Sequence, residues 1–168
     1  LIVNTIAPLL AASTVDGDLS ATATTGAITQ SGALTVGGTG IFITEDNASS
    51  IILGNAGNAF ASFVTLKAAA GGNEAFDDIT FVDSGGVKLD ANADAAGDLF
   101  IDASTDGAVG GALSVTATTG NITQGIALTV GGTGTFVTSA DDADIVLSTT
   151  TNAITGEVSF TTNTSESA

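Results

Sequence analysis

The feature that most constrains the fold is an internal duplication. Aligned at an offset of 94, residues 19–53 and 113–147 are identical at 22 of 35 positions. The shared core is ATATTGAITQSGALTVGGTG (21–40) against VTATTGNITQGIALTVGGTG (115–134). Beyond it the likeness becomes a pattern, IFIT against TFVT and SIIL against DIVL. A repeat this close dictates architecture, because whatever one copy builds the next must continue.

A shorter period lies inside the long one. Strand-like segments start near Leu19, Ile41, Phe63, Val87 and Leu113, at spacings of 22, 22, 24 and 26 residues. About 23 residues suits one coil of a solenoid. The segments ALTV, IFIT, SIIL, FVTL, ITFV, LFID, LSVT, TFVT, DIVL and VSFT are rich in Val, Ile, Thr and Phe, and many alternate apolar with small polar residues. Runs such as VGGTG, GNAGN and DSGG separate them and read as turns that use the positive φ open to Gly and Asn. Asn92–Gly97 is the one candidate helix, and it is short.

Sandwiches and antiparallel barrels also use many short strands. The coil period exceeds that of a hairpin, and the second copy follows the first without a linker. Both points favour an all-β, right-handed parallel β-helix of about seven coils, a rod roughly 35 Å long at one strand spacing per coil. Residues 1–168 read as a single solenoid segment of a longer protein, with repeat units 19–112 and 113–168, the second incomplete. Like residues in successive coils are expected to stack as ladders: Thr on Thr, Ile on Ile, Asn on Asn. The core is expected to consist of small and branched side chains.

Composition narrows the function. The chain has 18 acidic residues and 2 basic ones, Lys67 and Lys88, for a net charge of −16, and no Cys or His. Nothing here neutralises phosphates, so nucleic acid is not an expected partner. Anionic membrane surfaces are disfavoured too. Without Cys there is no disulfide framework and no thiolate metal site. The apolar start LIVNTIAPLLAASTV is too short to span a bilayer and lacks the basic region of a signal peptide, and it reads as an internal strand.

GAITQSGALTVGGTG (26–40) and GNITQGIALTVGGTG (120–134) resemble the repeats of very large bacterial surface exoproteins, the filamentous-haemagglutinin-like and related β-strand-repeat adhesins. GDLSATATTG (17–26) and SIILGNAGNAF (50–60) fit the same style. The resemblance covers about two thirds of the chain and implies a right-handed β-solenoid, export to the cell exterior, and a stalk, filament or adhesive role. It brings no catalytic residues. Residues 74–108 depart from the pattern and are more acidic.

That acidic stretch holds the candidate site. Asp90, Asp94, Asp98, Asp102 and Asp106 recur every four residues. DANAD, with Asp90, Asn92 and Asp94, resembles the opening of a calcium loop; with Asp98 it supplies hard oxygen ligands for a possible calcium ion. The Gly that should follow and the Glu at the twelfth position are missing. The alternative is that these carboxylates keep an edge-rich rod soluble and separate. Asp141, Asp142 and Asp144 invite the same two readings, with the solvated turn favoured. Asp77 and Asp78 are the nearest approach to a glycosidase pair, but the chain lacks His and Arg for acid–base work and substrate binding, so no enzyme is expected. VGGTG lacks the Lys and helix of a phosphate loop.

Thr22–Thr24 and Thr116–Thr118 raise an ice-binding array, but the spacing is not kept in every coil and Thr is a good strand former. Lys67 or Lys88 could enter an isopeptide crosslink, which nothing in the sequence requires. Asn47, Asn121 and Asn163 sit in formal glycosylation sequons, which arise readily by chance in an Asn- and Thr-rich chain. The expectation is an extracellular, secreted structural protein: a rod, stalk or filament of a surface fibre that self-associates by end-to-end coil stacking through the apolar segment Leu1–Ala12. Surface glycans or neighbouring cells are the expected external partners, with a calcium- or glycan-binding adhesive module as the alternative function.

Overall fold

The structure, a computed structural model, describes residues 2–69, 75–103 and 105–163. It is an all-β, right-handed parallel solenoid of about six turns. Among the described residues there are twenty strands and no helix, and every strand pairing is parallel. Right-handedness follows from twist: right-twisted strands joined by crossovers close back on themselves that way.

Two broad sheets run along the molecule. In spatial order, sheet one is Ile2–Thr5, Leu19–Ala23, Gly40–Thr44, Val64–Ala68, Asp98–Asp102, Val87–Asp90 and Ile122–Gln124. Sheet two is Ser49–Leu53, Phe76–Asp83, Leu113–Ala117, Gly134–Asp141 and Val158–Asn163. A bridge from Ile28 to Ile51 carries sheet two back to Thr29–Gln30 and Leu9–Leu10. A narrow strip closes each coil: Ser13–Val15, Leu34–Val36 and Ala59–Phe60 in the first half, then Ala108–Val109, Thr129–Val130 and Ala153–Ile154 in the second.

Alternation along the strands fills the interior. Leu19–Ala23, Gly40–Thr44, Ser49–Leu53, Val64–Ala68 and Leu113–Ala117 bury every second residue. Register then stacks the buried residues in rows, such as Ala21, Phe42, Leu66 and Ile101, or Ile51, Ile79, Leu113 and Gly134. Some rows carry the expected like-on-like ladders, with Ile28, Ile51 and Ile79 stacked in turn and Thr14 beside Thr35, while others match only by being apolar. In the mixed rows volume is balanced between rungs: Ala21 lies under Phe42. Nor is the interior confined to small side chains. Phe42, Phe76 and Phe136 are fully buried, Phe60 stacks on Phe81 at 5.4 Å, and Phe42 meets Phe60 edge-on at 6.1 Å.

The two repeat copies do not lie on the same face. Leu19–Ala23 and Gly40–Thr44 belong to sheet one, whereas their counterparts 94 residues on, Leu113–Ala117 and Gly134–Thr138, belong to sheet two. Ile28 bridges into sheet two, while its counterpart Ile122 lies in sheet one. The narrow strip changes sides with them. Between the copies the chain overshoots: Val87–Asp90 takes a rung ahead, residues 91–97 loop back, and Asp98–Asp102 fills the gap beside Val64–Ala68. So Val87 does not begin a coil in sequential order, the step from Val64 to its partner Leu99 is 35 residues, and about six turns form where the period counts about seven. Asn92–Gly97 is bend and turn rather than helix, because Gly97, at φ +86°, reverses the chain there.

Candidate functional site

The motif that returns in both copies, ITQ, builds a half-buried amide clamp. Gln30 Nε2 donates to Asn58 Oδ1, and Asn58 Nδ2 donates back to Gln30 Oε1 at 3.2 Å. The same two oxygens accept the backbone N–H of Leu34 at 3.0 Å and of Asn55 at 3.1 Å. Ninety-four residues on, Gln124 and Asn152 repeat the arrangement, accepting Leu128 N–H at 2.9 Å and Thr149 N–H at 3.2 Å. Each clamp ties one coil to the next where a loop leaves the ladder with unpaired groups. The ITQ spacing marked the repeat in sequence, but Asn58 and Asn152 sit in differing contexts, GNAGNAF and TTTNAIT, and gave no signal.

The glycine pairs are explained by stacking rather than by dihedral angle. A Cβ on Gly38 would meet Gly17 C at 2.7 Å, and one on Gly132 would meet Gly111 C at 2.7 Å. Neither has positive φ; the positive-φ glycines are Gly26, Gly97 and Gly107. VGGTG is the place where backbone lies directly on backbone between coils.

Carboxylates cap the change of side. Asp83, only 3% exposed, accepts Phe60 N–H at 2.9 Å and Ser84 N–H at 2.8 Å, which ends the first narrow strip. Burial raises its carboxyl above the ordinary range, against the pull of those N–H groups. Asp78 accepts Ala112 N–H at 2.7 Å, and the carbonyls of Phe76 and Asp77 accept Gly110 and Gly111, which starts the second strip. Asp18, held low by the Thr39 N–H, is used the same way at an exposed corner. The Asp77–Asp78 pair is thus one exposed side chain and one cap.

The four residues singled out for calcium lie around the overshoot. Asp90 forms an ion pair with Lys88 and accepts Ala91 N–H at 2.7 Å, and both contacts hold its carboxyl low, Lys88 first. Asp98 is buried, accepts Ala95 N–H at 2.9 Å and lies 3.8 Å from Lys88. Asn92 and Asp94 are exposed. Among the described residues no three His, Cys, Asp or Glu side chains come together as a metal cluster. Lys67 pairs with Asp102 across adjacent rungs, so both cations of the chain sit on sheet one at the overshoot. Asp141 is bound by Asn163 Nδ2 at 3.0 Å, and Asp142 lies at φ +60° in a turn. Asp106 is an exposed turn residue, and Asp144 is exposed just before the Ile145 bridge. Asn47, Asn121 and Asn163 are exposed, and Asn121 accepts Asp144 N–H at 2.9 Å.

The remaining feature is the last layer. Among the described residues, Val158–Asn163 pairs only with Gly134–Asp141, and every residue in it is exposed. Phe160, stacked on Phe136 at 5.8 Å, is 57% exposed and Val158 is 38% exposed. Their counterparts one repeat earlier, Leu66 and Val64, are 0% and 1% exposed because Asp98–Asp102 covers them. Leu147, Asn152 and Ile154 complete a hollow beside Phe160. Among the described residues no further strand pairs with the outer edge of Val158–Asn163.

A family model described as repeats of unknown function (DUF5649) matches residues 1–67 and 77–161. No curated protein and no solved structure matches the chain. The gap in the match, 68–76, falls just before the stretch in which the faces exchange.

Proposed function

The chain belongs to the DUF5649 family of repeats, and from that premise we propose that it is a structural rod module of a bacterial cell-surface fibre or adhesin, exported and mechanical rather than catalytic. The observation that carries this is a pair of axial ladders around one apolar core: parallel rungs hydrogen-bonded from Ile2–Thr5 to Ile122–Gln124 in sheet one and from Ser49–Leu53 to Val158–Asn163 in sheet two. Such a ladder lies along the direction of load and lengthens by repetition without a new core. The acidic sides keep neighbouring rods apart. The resemblance of the GAITQ and LTVGGTG segments to β-strand-repeat exoproteins supports the exterior location and an adhesive or stalk role, toward surface glycans or neighbouring cells.

The test is to duplicate the 94-residue unit 19–112 within the chain and compare both forms by small-angle scattering. The proposal expects the cross-section to stay constant while the length grows by roughly 15 to 20 Å, three to four strand spacings. Growth in all dimensions contradicts it. Calorimetric titration of the same preparations with calcium examines the adhesive alternative: a stoichiometric site abolished by Asp98→Asn would favour a calcium-binding module over a plain rod.

A further inference from the structure

We infer that the hollow beside the overshoot, lined by Lys88, Asp98, Asn121 and Thr123 and by Ala95 and Ala96 of the returning loop, binds one neutral hexopyranose ring at the end of a surface glycan. The inference rests on the adhesive side of the proposed function and gives it a site and a ligand class.

Strand order makes the hollow. Val87–Asp90 lies between Asp98–Asp102 and Ile122–Gln124, so Lys88 is the register partner of Asp98 on one side and of Thr123 on the other. Residues 91–97 return across the sheet to reach Asp98, and Lys88 N–H donates to Gly97 O at 2.8 Å where they arrive. On the far rung Val87 N–H donates to Asn121 O at 2.9 Å. The space enclosed is about 290 Å³, near the lower bound of roughly 300 Å³ for small-molecule sites, which suits a single ring.

The groups that face it select the ligand. Asp98 is 3% exposed, and its Oδ2 accepts Ala95 N–H at 2.9 Å. Its Oδ1 lies 3.8 Å from Lys88 Nζ, beyond hydrogen-bond reach. A hydroxyl set to the side of that line accepts from the ammonium and donates to the carboxylate at once. Asn121 Oδ1 is taken by Asp144 N–H at 2.9 Å, which leaves the amide nitrogen to donate, and Thr123 Oγ1 both donates and accepts. Mixed donors and acceptors answer a ring of hydroxyls, each of which does both. Charge excludes other ligands. At a net charge of −16 the chain repels anions, and Lys88 is already paired with Asp90. The same ammonium works against a metal ion at Asp98. Among the described residues no aromatic side chain lines the hollow to stack a base, whereas the methyls of Ala95 and Ala96 suit the C–H groups of a sugar.

The test is saturation-transfer difference NMR of the full chain with the methyl glycosides of glucose, galactose and mannose. At least one is expected to receive transfer, with amide shift changes confined to residues 86–88, 95–98 and 121–123. Ala96→Leu fills the hollow from an exposed loop position and is expected to weaken binding at least about tenfold. Thr123→Val removes one hydroxyl at nearly constant shape and is expected to weaken it about five- to tenfold. Both variants are expected to keep the parent circular dichroism spectrum. The methyl glycoside of glucuronic acid, an anion, is expected to bind about tenfold more weakly than that of glucose. Transfer to none of the three neutral glycosides would overturn the inference, as would binding that survives Ala96→Leu or equal binding of the glucuronide. A hexose that binds only as the free reducing sugar would make the ligand a soluble metabolite and would overturn it too. Glycosides that bind with shift changes elsewhere on the rod remove this site and leave the adhesive reading standing. If none binds while the duplicated chain lengthens at constant cross-section, the site falls and the rod stands.

Discussion

At the scale of single residues, three sites separate what the repeat needs from what it tolerates. Gln124 and Asn152 satisfy each other and two backbone N–H groups, so Gln124→Ala is expected to destabilise the chain by about 1–3 kcal/mol in denaturant titration. Asp83 has a raised carboxyl pKa, so between the ordinary carboxylate range and the raised value the folded chain binds more proton there than the unfolded chain. Its contribution falls as pH rises from the ordinary carboxylate range through the raised value. Asp83→Asn keeps an acceptor for Phe60 N–H and is expected to flatten that pH dependence without loss of stability at neutral pH. Asp83→Ala is expected to cost about 1–3 kcal/mol by orphaning the N–H. Thermal melts across pH distinguish the two. Thr44 Oγ1 is buried without a partner among the described residues, whereas its counterpart Thr138 donates to Ala143 O at 3.3 Å. Thr44→Val is expected to be neutral or stabilising and Thr138→Val destabilising, a difference of sign that melts of the two variants would show.

At the scale of elements, the segment that exchanges the faces is the most irregular part of the chain. Gly97 combines φ +86° with a Cβ site 3.0 Å from Gly86 O. Gly97→Ala is expected to cost about 1–3 kcal/mol through backbone strain and to speed hydrogen exchange in 87–102 before the rest of the sheet opens. The ion pairs of Lys67 and Lys88 are half exposed and are expected to matter little, with melting temperatures of Lys88→Gln and the parent chain converging in high salt. Most of the strands were legible in the sequence, because alternation of ITFV, LSVT or TFVT leaves one face to bury. DIVL was less so: of its residues only Ile145 makes a bridge. The exchange of faces was not legible. Nothing local marks Val87–Asp90 as a rung laid ahead of Asp98–Asp102, since both have the same strand pattern and only pairing across the molecule orders them. Asp90 and Asp98 were legible as acids, but their local partners were not: Asp98 caps a turn and Asp90 answers Lys88.

At the scale of the whole molecule, a repeat that returns on the opposite face distributes like surfaces around the rod, so a long array would bend less than one that stacked every irregular loop on one side. The account rests on rungs that are parallel, in register and evenly spaced, and sheet two offers a ruler for it. Ile52, Thr80, Ser114, Thr135 and Ser159 are successive partners on its outer surface. Spin labels placed on Ile52 and, in turn, on Ser114, Thr135 and Ser159 measure two, three and four rungs by electron paramagnetic resonance. Backbone separations rising in equal steps, roughly 10, 14 and 19 Å, are the predicted result. Distances that rise and then fall, or that ignore the order of the labels, would mean strands folded against one another in facing sheets and would contradict the solenoid.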